Sequence, residues 1–269
     1  MHVLVTLPGA AGDEILATDA WIGGAVGVEE LGDDLRVAFA DTEAAETFAA
    51  ATGGTATMVA DDAGLDSWQA HAESWVAGPF TIRPPWLDRT ATRELVIDPG
   101  RAFGSGSHAS TRLAVELLVD CLGGPTTAPA EAHIADIGCG SGILAITAAT
   151  LGATCVAVDI DPAAVDATTE NATTNGVADC VEARSGSTSE AAGTYDLAVV
   201  NVTIDIHESI ATEFRRHLST GSVIVAGLLA GPQEERAAHA YRARIIQRRR
   251  QGEWAALLLD LNDAFPDNS

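Results

Sequence analysis

The chain has 269 residues and 47% apolar content, enough for one large globular domain or a smaller one with an appendage. Its 38 acidic residues face 15 basic ones, all of them arginine, and the formal net charge of -23 excludes general binding to nucleic-acid backbones. No run of about eighteen apolar residues is free of charge, so no membrane span is expected. Such acidity fits a basic protein partner or a salt-rich interior, and replacement of lysine by arginine also follows from biased base composition.

The chain opens on a strand, HVLVTL (2–7). No basic region precedes this apolar run, so it is read as strand and turn rather than a secretion signal. EILATDAWIGGAVG has helical spacing before a glycine turn. GVEELGDDLRVAFA reads as two short strands joined around Gly32 to Asp34, and TEAAETFAAATGG as a helix ended by paired glycines. With a weak last strand around Ala56 to Val59, residues 1–60 form a small α+β module of ferredoxin-like type. Trp68, Ala72 and Trp75 recur at three-to-four spacing, which predicts a linker helix over 61–78 whose tryptophans pack between domains. Short strands follow at Phe80 to Ile82 and Leu95 to Ile97, and a helix at TRLAVELLVDCL, opened by Thr111 and Arg112.

From His133 strands and helices alternate: HIADIG, GILAITAATLGA, TCVAVDID, PAAVDATTENATTNG, CVEAR, TYDLAVVN, IDIHESIATEFRRHL, GSVIVAG, EERAAHAYRA. The strands ARIIQRR and EWAALLLDL close the chain as a hairpin. This pattern implies an α/β fold for residues 79–269, a Rossmann-like, doubly wound, mostly parallel sheet with a C-terminal antiparallel hairpin. Cys121, Cys139, Cys155 and Cys180 match no zinc pattern. They are read as packed thiols of a cytoplasmic protein, and no metal site is expected.

Asp136, Gly138, Cys139, Gly140, Ser141 and Gly142 link the first strand of this sheet to a helix. Glycines permit a tight turn and close backbone approach, and the helix start offers amide donors. Asp159 ends the next strand, where a carboxylate can accept both hydroxyls of a ribose. A carboxylate at Asp136 would repel a pyrophosphate but suits an ammonium group, directly or through water, which favours a cationic aminoacyl nucleoside over a dinucleotide. Capping of the loop's own backbone is the structural alternative for Asp136. Asp161, followed by Pro162, is placed as a helix N-cap. Ser185, Gly186 and Ser187 follow the third strand, where an adenine ring would rest.

Asn201 ends the fourth strand at the ligand-binding edge, and its carbonyl can accept a hydrogen bond from an amine; backbone capping is the alternative. Thr203 and Asp205 border that edge, and His207 is read as a helix-surface residue. The loop AFGSGSHAST (102–111) adds two adaptable glycines and His108, a candidate base, cofactor contact or loop brace. Shaping is favoured over proton transfer, because methyl transfer to a neutral amine is served by positioning and desolvation.

The segments DPGRAFGSGSHASTR, ADIGCGSGILAITAATLGA, AVDIDPAAVDATTENATTNG, YDLAVVNV, DSWQAHAESWVAGPFTIRPPW and EWAALLL together resemble the bacterial methyltransferases that modify the eleventh protein of the large ribosomal subunit. The resemblance implies a small N-terminal substrate-recognition domain, a linker helix and a class I catalytic domain that uses S-adenosyl-L-methionine. The implied activity is N-methylation of lysine side chains and, in some members, of the N-terminal amine. By motif position it places the cofactor loop on Asp136, Gly138, Gly140 and Gly142 and the ribose acid on Asp159. The active-site asparagine falls on Asn201, and a covering loop spans Phe103 to Thr111, with Phe103 and His108 at the reacting centre. The expected partner is a basic ribosomal protein, and a monomer is expected. Thr203 and Asp205 depart from the apolar residues usual after the asparagine. A related enzyme acting on another protein or a small amine, a binding factor without catalysis, and a dehydrogenase are the competing readings.

Overall fold

The structure, a computed structural model, describes residues 2–13, 16–17, 19–20, 23–59, 73–98, 108–123 and 132–262. The chain divides into two units, 1–72 and 73–269.

In the first unit, β1 (His2–Leu7), β2 (Ala25–Leu31), β3 (Asp34–Phe39) and β4 (Thr55–Val59) form an antiparallel sheet in the order β2-β3-β1-β4. Helical residues lie between β1 and β2, and α1 (Thr42–Thr52) lies between β3 and β4. This is the ferredoxin-like order. Val3, Val5 and Leu7 alternate inward with Leu35, Val37 and Phe39, against Ala45, Phe48 and Ala49 of α1. Asp41 caps α1 by accepting from the Ala44 N–H, and Gly53 ends it in the left-handed region.

The second unit opens with β5 (Trp75–Ala77), β6 (Phe80–Arg83) and β7 (Glu94–Val96), which form a separate three-stranded sheet. Here the end of the expected linker helix, residues 73–78, is corrected. Residues 61–72 lie outside the described residues, but Trp75 is on a strand, paired with Ile82 and buried. A tight turn at Gly78 and Pro79 folds β5 onto β6, so Trp75, Ala77, Phe80 and Ile82 bury by strand alternation. Trp75 packs in the core of its own unit, with the Arg112 guanidinium 5.1 Å above its ring.

The main sheet has seven strands, β10-β9-β8-β12-β14-β16-β15. They are β8 (His133–Ile137), β9 (Thr154–Asp159), β10 (Val181–Ser185), β12 (Leu197–Asn201), β14 (Ser222–Leu229), β15 (Arg244–Gln251) and β16 (Trp254–Asp260). The first five are parallel, and β16 and β15 form the antiparallel hairpin. On one face Ile134, Cys155, Leu197, Val199, Ile224 and Ala256 pack with α2 (Ala109–Cys121) and α3 (Ile143–Thr150). On the other, Ala135, Val156, Val200, Val223 and Leu257 pack with α5 (Ile204–His217) and α6 (Pro232–Ala240). Strict alternation between two covered faces makes this a doubly wound sheet.

Two local readings change. TYDLAVVN is broken at Asp196: β11 (Gly193–Tyr195) pairs with β13 (Leu218–Thr220) in a small ladder of its own, while β12 joins the main sheet. The second helix begins at Ala109 rather than Thr111, because the His108 side chain accepts from the Ser110 N–H and caps it.

Candidate active site

The carboxyl ends of β8, β9 and β10 lie side by side, since Ile137 pairs with Val158 and Asp159 with Ser185. Beyond β8 the chain turns through Gly138, Gly140 and Gly142, all at positive φ. Gly142 has no room for a side chain, as a Cβ would meet Thr168 Oγ1 at 2.7 Å. It stands at the N-cap of α3.

Asp136 lies beneath this loop, 1% exposed. Its Oδ2 accepts from the Ala145 N–H at 3.0 Å, while Oδ1 is buried with no hydrogen-bond partner among the described residues. Burial, with a smaller contribution from the nearby Asp159 charge, pushes its carboxyl up to about 7. The backbone-capping role is therefore present, yet it engages only one oxygen. Asp159 accepts from the Gly140 N–H through Oδ2 and from the Asp161 N–H through Oδ1, each at 3.0 Å. Asp161 caps α4 (Pro162–Thr174), accepting from Ala163 at 2.9 Å. The Gly186 N–H donates to the Asp159 carbonyl at 2.8 Å, and the Ser187 N–H to Glu190 Oε2 at 2.8 Å. These contacts bring Asp136, Asp159 and the glycine loop to one edge.

Asn201 ends β12, beside β8. Its Nδ2 donates to Thr111 Oγ1 at 3.1 Å, so the buried Thr111 of α2 fixes one end of the amide and leaves the carbonyl end as acceptor. The next residue, Val202, approaches the glycine loop: a Cβ on Gly138 would meet Val202 Cγ1 at 3.0 Å. His108 sits one turn before Thr111. Its Nδ1 accepts from the Ser110 N–H at 3.3 Å and lies 2.8 Å from Ser110 Oγ, and its ring meets Trp254 edge-on at 4.2 Å. Desolvation lowers its pKa, so the imidazole is neutral at pH 7, with the proton on Nε2. Phe103 and the rest of the loop up to Ser107 lie outside the described residues. Thr203 occupies the N-cap position of α5, and Asp205 is exposed and held by Arg236 at 3.4 Å.

Four residues were not foreseen. On α4, Thr168 donates to the Gly140 carbonyl at 3.1 Å. Asn171 donates to the carbonyls of Ser141, at 2.9 Å, and Asp98, at 2.7 Å, and accepts from the Asp98 N–H. Asn175 pairs in the same way with both backbone groups of Val96. Their spacing of three and four marks a polar stripe on one helix face, a signal present in DATTENATTN. Ile160, 80% exposed immediately after Asp159, gives that edge an apolar surface. His207, expected at the surface, is instead fully buried: it falls at helical spacing with Ile204, Ala211 and Phe214 on the core face of α5.

A buried, half-satisfied carboxylate under a glycine loop, next to a strand-end acid and an exposed apolar side chain, fits a ligand with a cationic head, a ribose and a flat base. Among the described residues no cluster of His, Cys, Asp and Glu could hold a metal ion, and no helix is long and apolar enough to cross a membrane.

The family model described as ribosomal protein L11 methyltransferase (PrmA) matches residues 29–261. The ribosomal protein L11 methyltransferase of Citrifermentans bemidjiense is 33% identical over 75% of this chain and 68% of its own length. That of Sorangium cellulosum is 35% identical over 66% of this chain and 57% of its own length. The crystal structure of a ribosomal protein L11 methylase from Lactobacillus delbrueckii subsp. bulgaricus superposes with a TM-score of 0.58 at 30% identity, covering 67% of this chain and 94% of the other. The chain belongs to the ribosomal protein L11 methyltransferase family and has its class I fold, built to use S-adenosyl-L-methionine.

Proposed function

We propose that the chain N-methylates lysine amines of ribosomal protein L11. The observation that carries the chemistry is the buried Asp136 Oδ1, without a partner among the described residues, set under the glycine loop. S-Adenosyl-L-methionine supplies an electrophilic methyl group bonded to a positively charged sulfur. Asp136 neutralises the ammonium of its aminoacyl end. Asp159 would take the ribose hydroxyls, and the glycines from Gly138 to Gly142 would let the backbone approach the ligand. Ile160, Gly186 and Ser187 border the base.

The Asn201 carbonyl accepts an N–H from the incoming neutral amine and aims its lone pair, with Thr111 holding the amide's other end. His108 caps α2 and, through Ser110 and Trp254, shapes the wall beside Asn201. It is not needed as a base, because the amine enters deprotonated and its surplus proton leaves to water after the C–N bond forms. The first unit recognises the substrate, and an acidic chain suits a basic ribosomal protein. A ribosomal substrate and free thiols support a cytoplasmic location.

The test is methyl transfer to purified L11, read by intact mass and by methyl-lysine analysis. This chain contains no lysine, so methyl-lysine can come only from the partner. Cofactor binding is expected, lost in Asp159→Ala, together with a mass gain on L11. A folded chain that fails to bind cofactor sinks the enzyme reading. Binding with an unmodified L11, and label on another extract protein, sinks the substrate.

A further inference from the structure

His207 is a polar side chain on an otherwise apolar stripe of α5, and both its ring nitrogens are engaged. Nε2 donates to the Ala226 carbonyl at 2.9 Å, and Nδ1 accepts from the Tyr241 hydroxyl at 3.0 Å. A carbonyl can only accept, so the neutral ring carries its proton on Nε2 and Tyr241 must donate. Tyr241 is itself fully buried, edge-on to Phe214 at 5.2 Å, which leaves the imidazole one orientation.

The carbonyl it holds is a particular one. Ala226 is the register partner of Asn201 in the parallel pair β12–β14. On the other side of β14 the register with β16 shifts between Val225 and Leu228, so Ala226 and Gly227 share one opposing residue. Such a bulge leaves a backbone group without its ladder partner. Gly227 takes φ +80, and a Cβ there would stand 2.3 Å from the Val202 carbonyl. The bulge therefore packs directly against the residue that follows Asn201.

We propose that His207 is a positioning residue for methyl transfer: by holding the Ala226 carbonyl it locks the bulge on which the turn after Asn201 rests, and so fixes the Asn201 amide against Thr111. This rests on the proposed role of Asn201. Burial keeps the ring neutral, with its pKa pushed down to about 4 despite the hydrogen bond to the Ala226 carbonyl, so the lock is unchanged at neutral pH.

The test compares the full chain with His207→Phe, His207→Gln and Tyr241→Phe. Three quantities are read: cofactor affinity by calorimetry, kcat and KM with L11, and the NMR signals of the Asn201 side-chain amide, assigned with Asn201→Ser. In His207→Phe, kcat is expected to fall about ten-fold or more, with cofactor affinity within about two-fold of wild type and the Asn201 amide signals displaced. His207→Gln keeps a donor for Ala226 and restores most of kcat. An unmoved amide signal with unchanged kcat in folded His207→Phe overturns the proposal, as does a glutamine variant no better than phenylalanine. If His207→Phe does not fold, Tyr241→Phe decides: it frees the ring to turn and should displace the same amide signals, and undisplaced signals overturn the proposal. Wild-type turnover judges the methyltransferase reading separately, while the amide signals judge His207 without any turnover.

Discussion

Asp136 is buried with one oxygen lacking a partner among the described residues, and this has a sign that can be followed with pH. Its folded pKa of about 7 lies above the unfolded carboxylate value, so its contribution to stability is present at acid pH and lost as pH rises through 7. A rise from 3.8 to about 7 corresponds to about 4 kcal/mol of destabilisation above pH 7, relieved when a cation binds. Cofactor affinity is then expected to fall about ten-fold per pH unit below about 7, and to fall again above about 8 as the ligand's own α-amino group deprotonates. Calorimetry from about pH 5.5 to about pH 9 should trace a maximum between those limits. Asp136→Asn should lose the acid limb, bind the cofactor weakly, and melt at a higher temperature than wild type at about pH 8. A flat profile in the wild type would separate Asp136 from the ammonium. The sequence showed where this carboxylate stands, because an acid before the first glycine is visible in ADIGCGSG; it could not show that one oxygen is capped and the other not. At His207 the helical spacing with Ile204, Ala211 and Phe214 was visible too, but a histidine suggests a wet face until a buried partner such as Tyr241 is known.

The strand–helix alternation of the second unit was legible because the central strands β8, β9, β12 and β14, covered on both faces, are largely apolar, and each helix follows a turn residue. At Trp75 the helical spacing misled for the opposite reason: the strand alternation that buries this residue requires the turn at Gly78 and the pairing to Ile82. What local pattern could not give is the way α4 holds the site. Asn171 joins the glycine loop at Ser141 to the strand end at Asp98, just before the loop that carries Phe103, and each bond spans a large sequence separation. Asn171→Ala removes three hydrogen bonds and strands buried backbone groups, an expected loss of about 3 kcal/mol, or roughly 6–12 °C in Tm. Because Ser141 belongs to the cofactor loop, affinity for S-adenosyl-L-methionine should fall in the same variant. Thr173→Ala, on the exposed face of the same helix, should change neither. Calorimetric melting and binding of both variants check this, and an Asn171→Ala chain that melts like wild type would show that α4 does not hold the loop.

Across the whole molecule, charge outweighs every other feature of the surface. If every arginine were paired one to one, 23 carboxylates would still lack a cation. Several arginines are gathered on one strand: Arg248 and Arg250 both bind Glu234, Arg248 also binds Glu235, and Arg249 binds Glu116 and Asp120, so the β15 edge is close to locally balanced while the excess lies elsewhere. Self-repulsion of that excess opposes folding, and the same field attracts a basic partner. Salt acts on the two in opposite directions. Raising ionic strength from about 0.1 M to about 1 M shortens the screening length from about 10 Å to about 3 Å. Thermal melting should therefore shift upward through a sodium chloride series, while kcat/KM with L11 falls by about ten-fold or more, carried by KM and the association rate rather than by kcat. Cofactor binding, governed by the buried Asp136, should change little over the same range, since buried charges are screened much less than exposed ones. A melting temperature that declines with salt would mean that the surface carboxylates are held by counter-charges, and that the acidity is structural rather than a field aimed at a partner. A kcat/KM indifferent to salt would place substrate recognition in contacts other than the charge of the chain.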